Sequence, residues 1–196
     1  TLQQYIRFCG KEKHVWKKYG ETLKGIIESY APGRRKEIAM HPNGLLWAQM
    51  DGVALSWMNA YVYGRPVTER AGYQVETNAY WYNALMVMEE FSDLLKVDKK
   101  LINYCELADM VKKSFNENFW NDEEDCLKDL YSNTPNDTQI RCNQIWAVSM
   151  PYCMLSKERA SKVISKVFSE LYTPLGLRSL SPKDSEFKPF YGGRHF

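Results

Sequence analysis

The chain has 196 residues, of which 44% are hydrophobic and 14% aromatic, enough to bury a substantial core, so a single globular domain over residues 1–196 is expected. Its 26 Lys and Arg against 24 Asp and Glu leave a formal net charge of +2, and the basic residues are scattered rather than gathered in a stripe, which speaks against nucleic-acid binding. No apolar run approaches the ~18 residues that would cross a bilayer, and Thr1 to Gly10 carry no signal-peptide pattern, so a membrane location is not expected.

Five widely spaced cysteines, Cys9, Cys105, Cys126, Cys142 and Cys153, form no C-x-x-C pair and have no neighbouring His of the kind zinc sites use. Free thiols in a reducing cytoplasm are expected, with no metal and no cofactor. The 13 Tyr and 6 Trp exceed what helix packing requires. Flat side chains of this kind can stack on sugar faces, although aromatics more often fill cores.

A short helix is predicted at Leu2 to Phe8. Val15, Trp16, Tyr19, Leu23, Ile26, Ile27 and Tyr30 then recur at helical spacing between Lys11 and Tyr30 until Pro32-Gly33 stops the run. From Ala31 to Tyr73 five glycines and three prolines interrupt any helical period, and strand-like pieces fall at Leu45 to Ala48 and Val53 to Trp57. A structured excursion this long inside a compact domain points to function.

Helical periodicity returns at Val75 to Leu95 and at Lys99 to Phe119, with Val97-Asp98 as the turn and Asp98 as N-cap. Asn121 to Asn136 contains the acidic run Asp122 to Asp125 and reads as a solvated loop, without the D-x-D-x-D-G spacing of a calcium site. Helices are predicted at Asn143 to Leu155 and at Lys157 to Leu171, the second capped by Ser156 and ended before Pro174. An irregular tail follows from Ser181 to Phe196. The expected architecture is all-α, with stacked helical hairpins, at least five helices of ten or more residues, and one long structured excursion.

There is no G-x-S-x-G, G-K-[ST], H-E-x-x-H or G-x-G-x-x-G, which removes the usual support for serine hydrolase, P-loop, zincin and dinucleotide chemistry. Carboxylates and aromatics remain. Glycoside hydrolysis needs two carboxyl groups across the scissile bond, one to protonate the leaving oxygen and one to activate water or attack carbon. Asp51, Glu69 and Glu76 lie in the excursion or at its exit. Glu76 opens an aromatic-rich helix, either facing whatever the excursion encloses or complementing the helix dipole.

The stretch from His41 to Leu85, HPNGLLWAQMDGVALSWMNAYVYGRPVTERAGYQVETNAYWYNAL, resembles the amylo-α-1,6-glucosidase region of glycogen debranching enzymes. It follows the family order of D-G-L-L-x-A, T-W-M-D-A and G-x-P-V-T-P-R-x-G-x-x-V-E-x-N-A-L-W-Y-N-A-L. The similarity continues at IRCNQIWAVSMPYCMLS (Ile140 to Ser156) and LYTPLGLRSLSPKD (Leu171 to Asp184), so it covers nearly the whole chain.

The resemblance implies an (α/α)6 toroid whose inner helices surround a pocket for α-glucan or oligosaccharide. In complete form it implies release of α-1,6-linked glucose with inversion through an activated water. It makes Asn59 and Glu76 the candidate catalytic positions and Trp57, Arg70, Trp81, Asn143 and Gln144 the candidate substrate-binding ones, with Trp47, Trp57, Trp81 and Trp146 as an aromatic pocket. Asn59 stands where the family has its general-acid aspartate, and an amide cannot protonate a leaving group.

The family also continues into a Y-H-Q-G motif near its other catalytic carboxylate, whereas the sequence ends at Gly192-Gly193-Arg194-His195-Phe196. A fragment is therefore expected, a partial toroid whose apolar faces on Val75 to Leu95 and Asn143 to Leu155 are covered in a homodimer through the open edge. Three readings follow: a glucosidase in complete form, an inactive carbohydrate-binding or interaction module, and an enzyme in which Glu76 or another carboxylate supplies the acid.

Overall fold

The computed structural model describes residues 2–32, 34–95, 102–132 and 137–190. The domain is mostly helical. Its helices are α1 (Leu2–Cys9), α2 (Glu12–Ser29), α3 (Val75–Leu95), α4 (Tyr104–Asn118), α5 (Trp146–Ser149) and α6 (Lys157–Leu171). Among the described residues four of them, α2, α3, α4 and α6, reach ten residues, where the periodicity suggested at least five. No helix of the described residues is long and apolar enough to cross a membrane.

Helix α3 is the centre. Val75, Ala79, Trp81, Tyr82, Leu85, Met88 and Phe91 are all buried, and apolar residues spread around a helix in this way mark one enclosed on most sides. It packs on α2, α4 and α5 of its own chain, leaving Tyr80 and Leu94 as its exposed large apolar residues. Much of the apolar face predicted to form an open edge is therefore covered internally.

Two asparagines of α3 fasten irregular chain to this helix. Asn78 accepts from the Leu46 amide at 2.8 Å and donates to the Leu46 carbonyl at 3.1 Å. Asn83 does the same to Tyr152, accepting from its amide and donating to its carbonyl, each at 2.9 Å. Each carboxamide thus satisfies both polar groups of one residue, as a paired strand would.

The excursion is built from short antiparallel pairs. β1 (Ile38–Met40) pairs with β2 (Leu46–Ala48), and β3 (Tyr61–Val62) with β4 (Arg65–Pro66). β5 (Tyr73–Gln74), at its exit, pairs across the chain with β8 (Leu130–Tyr131). β6 (Trp120–Asn121) and β7 (Cys126–Leu127) form a fourth pair, and β9 (Tyr172–Thr173) and β10 (Gly176–Leu177) a fifth. The segment Val53 to Trp57 forms no strand.

Three other expectations change. The helix predicted over Asn143 to Leu155 is a 3₁₀ turn at Cys142–Ile145 followed by the single turn of α5. Pro151 lacks an amide proton and disfavours helical geometry in the residue before it, and Met150 is extended, with φ −72° and ψ 152°. Helix α4 starts at Tyr104 with Asn103 as its cap, accepting from the Glu106 amide, while Val97 and Asp98 lie outside the described residues, as do Gly192 to Phe196. The predicted solvated loop after Asn121 instead carries buried Cys126, Leu127, Asp129 and Leu130.

Gly72 permits the junction between the excursion and β8. Its φ is +139°, and a Cβ there would lie 2.8 Å from the Tyr131 carbonyl oxygen and 3.1 Å from the Ser132 Cβ. Gly72→Ala is therefore expected to cost at least about 1–3 kcal/mol of stability through backbone strain alone, measured as a lowered urea midpoint.

Candidate functional site

The Ala48–Gly72 bridge and the β5–β8 pairing set residues 70–76 against residues 129–131. Arg70 comes from the end of the excursion, Glu76 from the first turn of α3, Asp129 from the link between β7 and β8, and Asn143 from the 3₁₀ turn. The Arg70 Nη1 and Nη2 donate to Glu76 Oε1 at 2.5 Å and Oε2 at 2.8 Å. Its Nε donates to Asp129 Oδ2 at 2.8 Å, and Nη2 also reaches the Asp129 carbonyl at 3.1 Å.

All three side chains are nearly inaccessible to solvent, at 1–2% exposure. Burial opposes the charge on Arg70, but the hydrogen bonds to Glu76 and the charge of Asp129 outweigh it, so its pKa is raised further. Burial, reinforced by Asp129, also raises the Cys142 thiol and the Asp137 carboxyl above their ordinary values.

The network continues outward. Asn143 Nδ2 donates to Asp129 Oδ1 at 2.7 Å, and Asn143 Oδ1 accepts from the Trp57 indole nitrogen at 2.8 Å. Arg141 Nε lies 3.8 Å from Asp129 Oδ2 and is held by Gln139 Oε1. A buried cationic fork facing two carboxylates is a fixed geometry rather than an adjustable one.

Beside this network lies a cavity of about 490 Å³, lined by Ser56, Trp57, Glu76, Thr77, Tyr80, Cys142, Ile145, Trp146 and Leu177. Its volume falls in the range of small-molecule sites, roughly 300–1,000 Å³. Trp57, Tyr80 and Trp146 are 53%, 40% and 40% exposed, and the rings of Tyr80 and Trp146 meet at 5.4 Å between centroids. Aromatic rings exposed inside a concavity can take up a ligand face without first being uncovered. A larger, polar cavity of about 960 Å³ lies beyond Met58, lined among others by Glu69, Asp137, Gln139 and Arg141.

The sequence model of the protein family described as amylo-alpha-1,6-glucosidase matches residues 1–196. The chain belongs to the amylo-alpha-1,6-glucosidase family. A search of curated proteins finds no match.

Within this family frame, Trp57, Arg70, Glu76 and Asn143 are joined through direct bonds and Asp129 into one unit. Asn59 is exposed, lines neither cavity, and donates its backbone amide to the Trp57 carbonyl at 3.0 Å. Trp81 lies in the core with its indole donating to the Gly44 carbonyl. Gln144 is buried, accepting from the Leu127 amide.

Of the four tryptophans expected to form one pocket, Trp57 and Trp146 line the cavity. Trp47 instead stacks on His41 at 5.6 Å. Sequence reasoning missed Asp129 and Tyr80. Asp129 had a signal, since it interrupts the apolar series Cys126, Leu127, Leu130, Tyr131 within a polar stretch. Tyr80 lies four residues after Glu76, and therefore on the same helix face.

Replacing Arg70 by Met would leave Glu76 and Asp129 buried without their cation. A loss of about 3–5 kcal/mol is expected, read by urea unfolding at neutral pH, with Arg70→Lys recovering part of it because the charge returns without the planar fork. A loss below about 1 kcal/mol would match an exposed surface pair instead.

Proposed function

We propose that this domain binds α-glucan in the aromatic cavity between α3, α5 and the Trp57 segment, and that its complete form is an amylo-α-1,6-glucosidase built as an (α/α)6 toroid. Membership of the family supports a glycoside hydrolase-like domain related to glycogen debranching. The observation that carries the binding reading is the group of three partly exposed rings, Trp57, Tyr80 and Trp146, around a cavity with Glu76 in its wall. The apolar face of a hexose stacks on such rings, while the partly exposed Ser56 and Thr77 in the lining supply polar contacts for its hydroxyls.

Binding without cleavage is the reading favoured for the sequence as it stands. Hydrolysis requires a proton donor as well as a carboxylate that activates water. Position 59 offers an amide. Both oxygens of Glu76 receive guanidinium bonds, and those of Asp129 are taken by Arg70 and Asn143. The five free thiols support placing the protein in the reducing cytoplasm.

Titration calorimetry with maltooligosaccharides and a branched dextrin tests the binding. Trp57→Ala is expected to weaken it by about 1 kcal/mol, roughly fivefold, through the lost stacking face. Unchanged affinity would move the ligand elsewhere. Asn59→Asp puts a carboxyl group at the expected proton-donor position but supplies no carboxylate free to activate water, so neither it nor the parent chain is expected to release glucose from the branched dextrin. Glucose release by Asn59→Asp would overturn the reading of binding without cleavage.

A further inference from the structure

An asparagine side chain has a donor end and an acceptor end of nearly the same shape, so its orientation is dictated by its partners. Asn143 is fully buried between two groups that each play a single part. The Trp57 indole N–H can only donate. The Asp129 oxygen facing Asn143 accepts, as part of a carboxylate in an ion pair with Arg70, whose Nε occupies the other oxygen. One orientation satisfies both, with Oδ1 toward Trp57 at 2.8 Å and Nδ2 toward Asp129 at 2.7 Å. The flipped amide would set donor against donor and oxygen against oxygen.

Trp57 needs this tie. It is half exposed, in a segment without regular secondary structure between Gly52 and β3. Its local backbone bonds, from the Asn59 amide to the Trp57 carbonyl and from the Met58 amide to Ser56 Oγ, stay within that segment. The bond to Asn143, 86 residues away in sequence, fastens the indole to the body of the domain. Asn143 Nδ2 also lies 3.4 Å from Met58 Sδ, so the neighbouring side chain is held by the same amide.

On its other side Asp129 orients Arg70 through Oδ2 and its backbone carbonyl, and the guanidinium so fixed turns its remaining N–H groups to Glu76. Two arginines, Arg70 and Arg141, then face the carboxylates of Glu76 and Asp129.

We propose that Asp129, which does not itself line the cavity, is the positioning residue of this site: through Asn143 it fixes the Trp57 indole, and through Arg70 it fixes the Glu76 carboxylate, so one buried side chain sets two walls of the cavity. The role of those walls toward a glucan rests on the reading above. The positioning does not, and it can be measured without ligand.

The readout is the solvent-exchange rate of the Trp57 indole proton by NMR, assigned through its disappearance in Trp57→Phe. Asp129→Asn removes the acceptor-only partner, and Asn143→Leu removes the amide at similar volume. Each is expected to speed exchange about tenfold, the factor that goes with losing one hydrogen bond of ordinary net strength. The double variant Asp129→Asn with Asn143→Asp moves the carboxylate one link along the chain. It keeps the bonds that link Trp57 to Arg70, with Asp at 143 accepting from Trp57 and from the new amide and that amide accepting from Arg70, and gives up the contact to Met58 Sδ and the Arg141 ion pair.

The double variant is expected to return exchange to within about twofold of the parent, well inside the factor for one hydrogen bond, whereas a residue serving only the fold gives no reason for rescue at Trp57. If Asp129→Asn fails to fold, Asn143→Leu and the double variant carry the test. Unchanged exchange in Asn143→Leu, or a folded double variant with fast exchange, overturns the proposal. Oligosaccharide affinity, measured alongside, should fall and recover with the exchange rates. If the exchange pattern holds while the parent itself binds no oligosaccharide, the glucan reading fails and the positioning stands.

Discussion

A guanidinium withdrawn from water requires its compensation close by, and much of the ordering in this domain follows from meeting that requirement at Arg70. The charge sits at the end of an excursion with little regular structure. Its partners come from the first turn of α3 and from the link between β7 and β8. Desolvating an ion is tolerable when opposite charges and hydrogen bonds surround it, and strongly unfavourable otherwise. The fold therefore holds residue 70, residue 76 and residue 129 at one point, of which Glu76 forms part of the cavity wall.

A second constraint is the satisfaction of backbone polar groups in irregular chain. The excursion and the segment after α5 have too few strand pairs to bond their own amides and carbonyls. Asn78 and Asn83 supply what is missing from the central helix, each taking both groups of a single distant residue. Helix α3 thereby serves as apolar core, as anchor for loops, and as the source of Glu76, Thr77 and Tyr80 in the cavity. Function and stability share the same helix because its two ends of service lie on different faces.

The cavity combines a rigid ionic wall with partly exposed rings. Glu76 is immobilised by a two-point bond, Trp57 by a buried amide, and Tyr80 and Trp146 by contact with each other. Such a surface is suited to a ligand with flat apolar faces and hydroxyls at its edges. Proton transfer is a different demand, because it needs a carboxyl group with an oxygen not already committed, and those of Glu76 and Asp129 are held by Arg70 and Asn143.

The sequence by itself determined the helices whose signals are local. α3 and α6 run where periodicity and the Ser156 cap placed them, and α2 stops before Pro32. It also determined the family, because a nearly gapless run of motifs from His41 to Leu85 needs no three-dimensional information to be read. Trp57, Arg70 and Glu76 belong to those motifs, and Asn143 to the similar stretch from Ile140 to Ser156. Tertiary structure alone decided what they do to one another. Arg70 and Asp129 are 59 residues apart, and no pattern of spacing records a bond between them. The same holds for the tryptophans: Trp47 and Trp81 pack inward and Trp57 and Trp146 face the cavity, because burial depends on which elements lie opposite, and helical periodicity describes only one side of each contact.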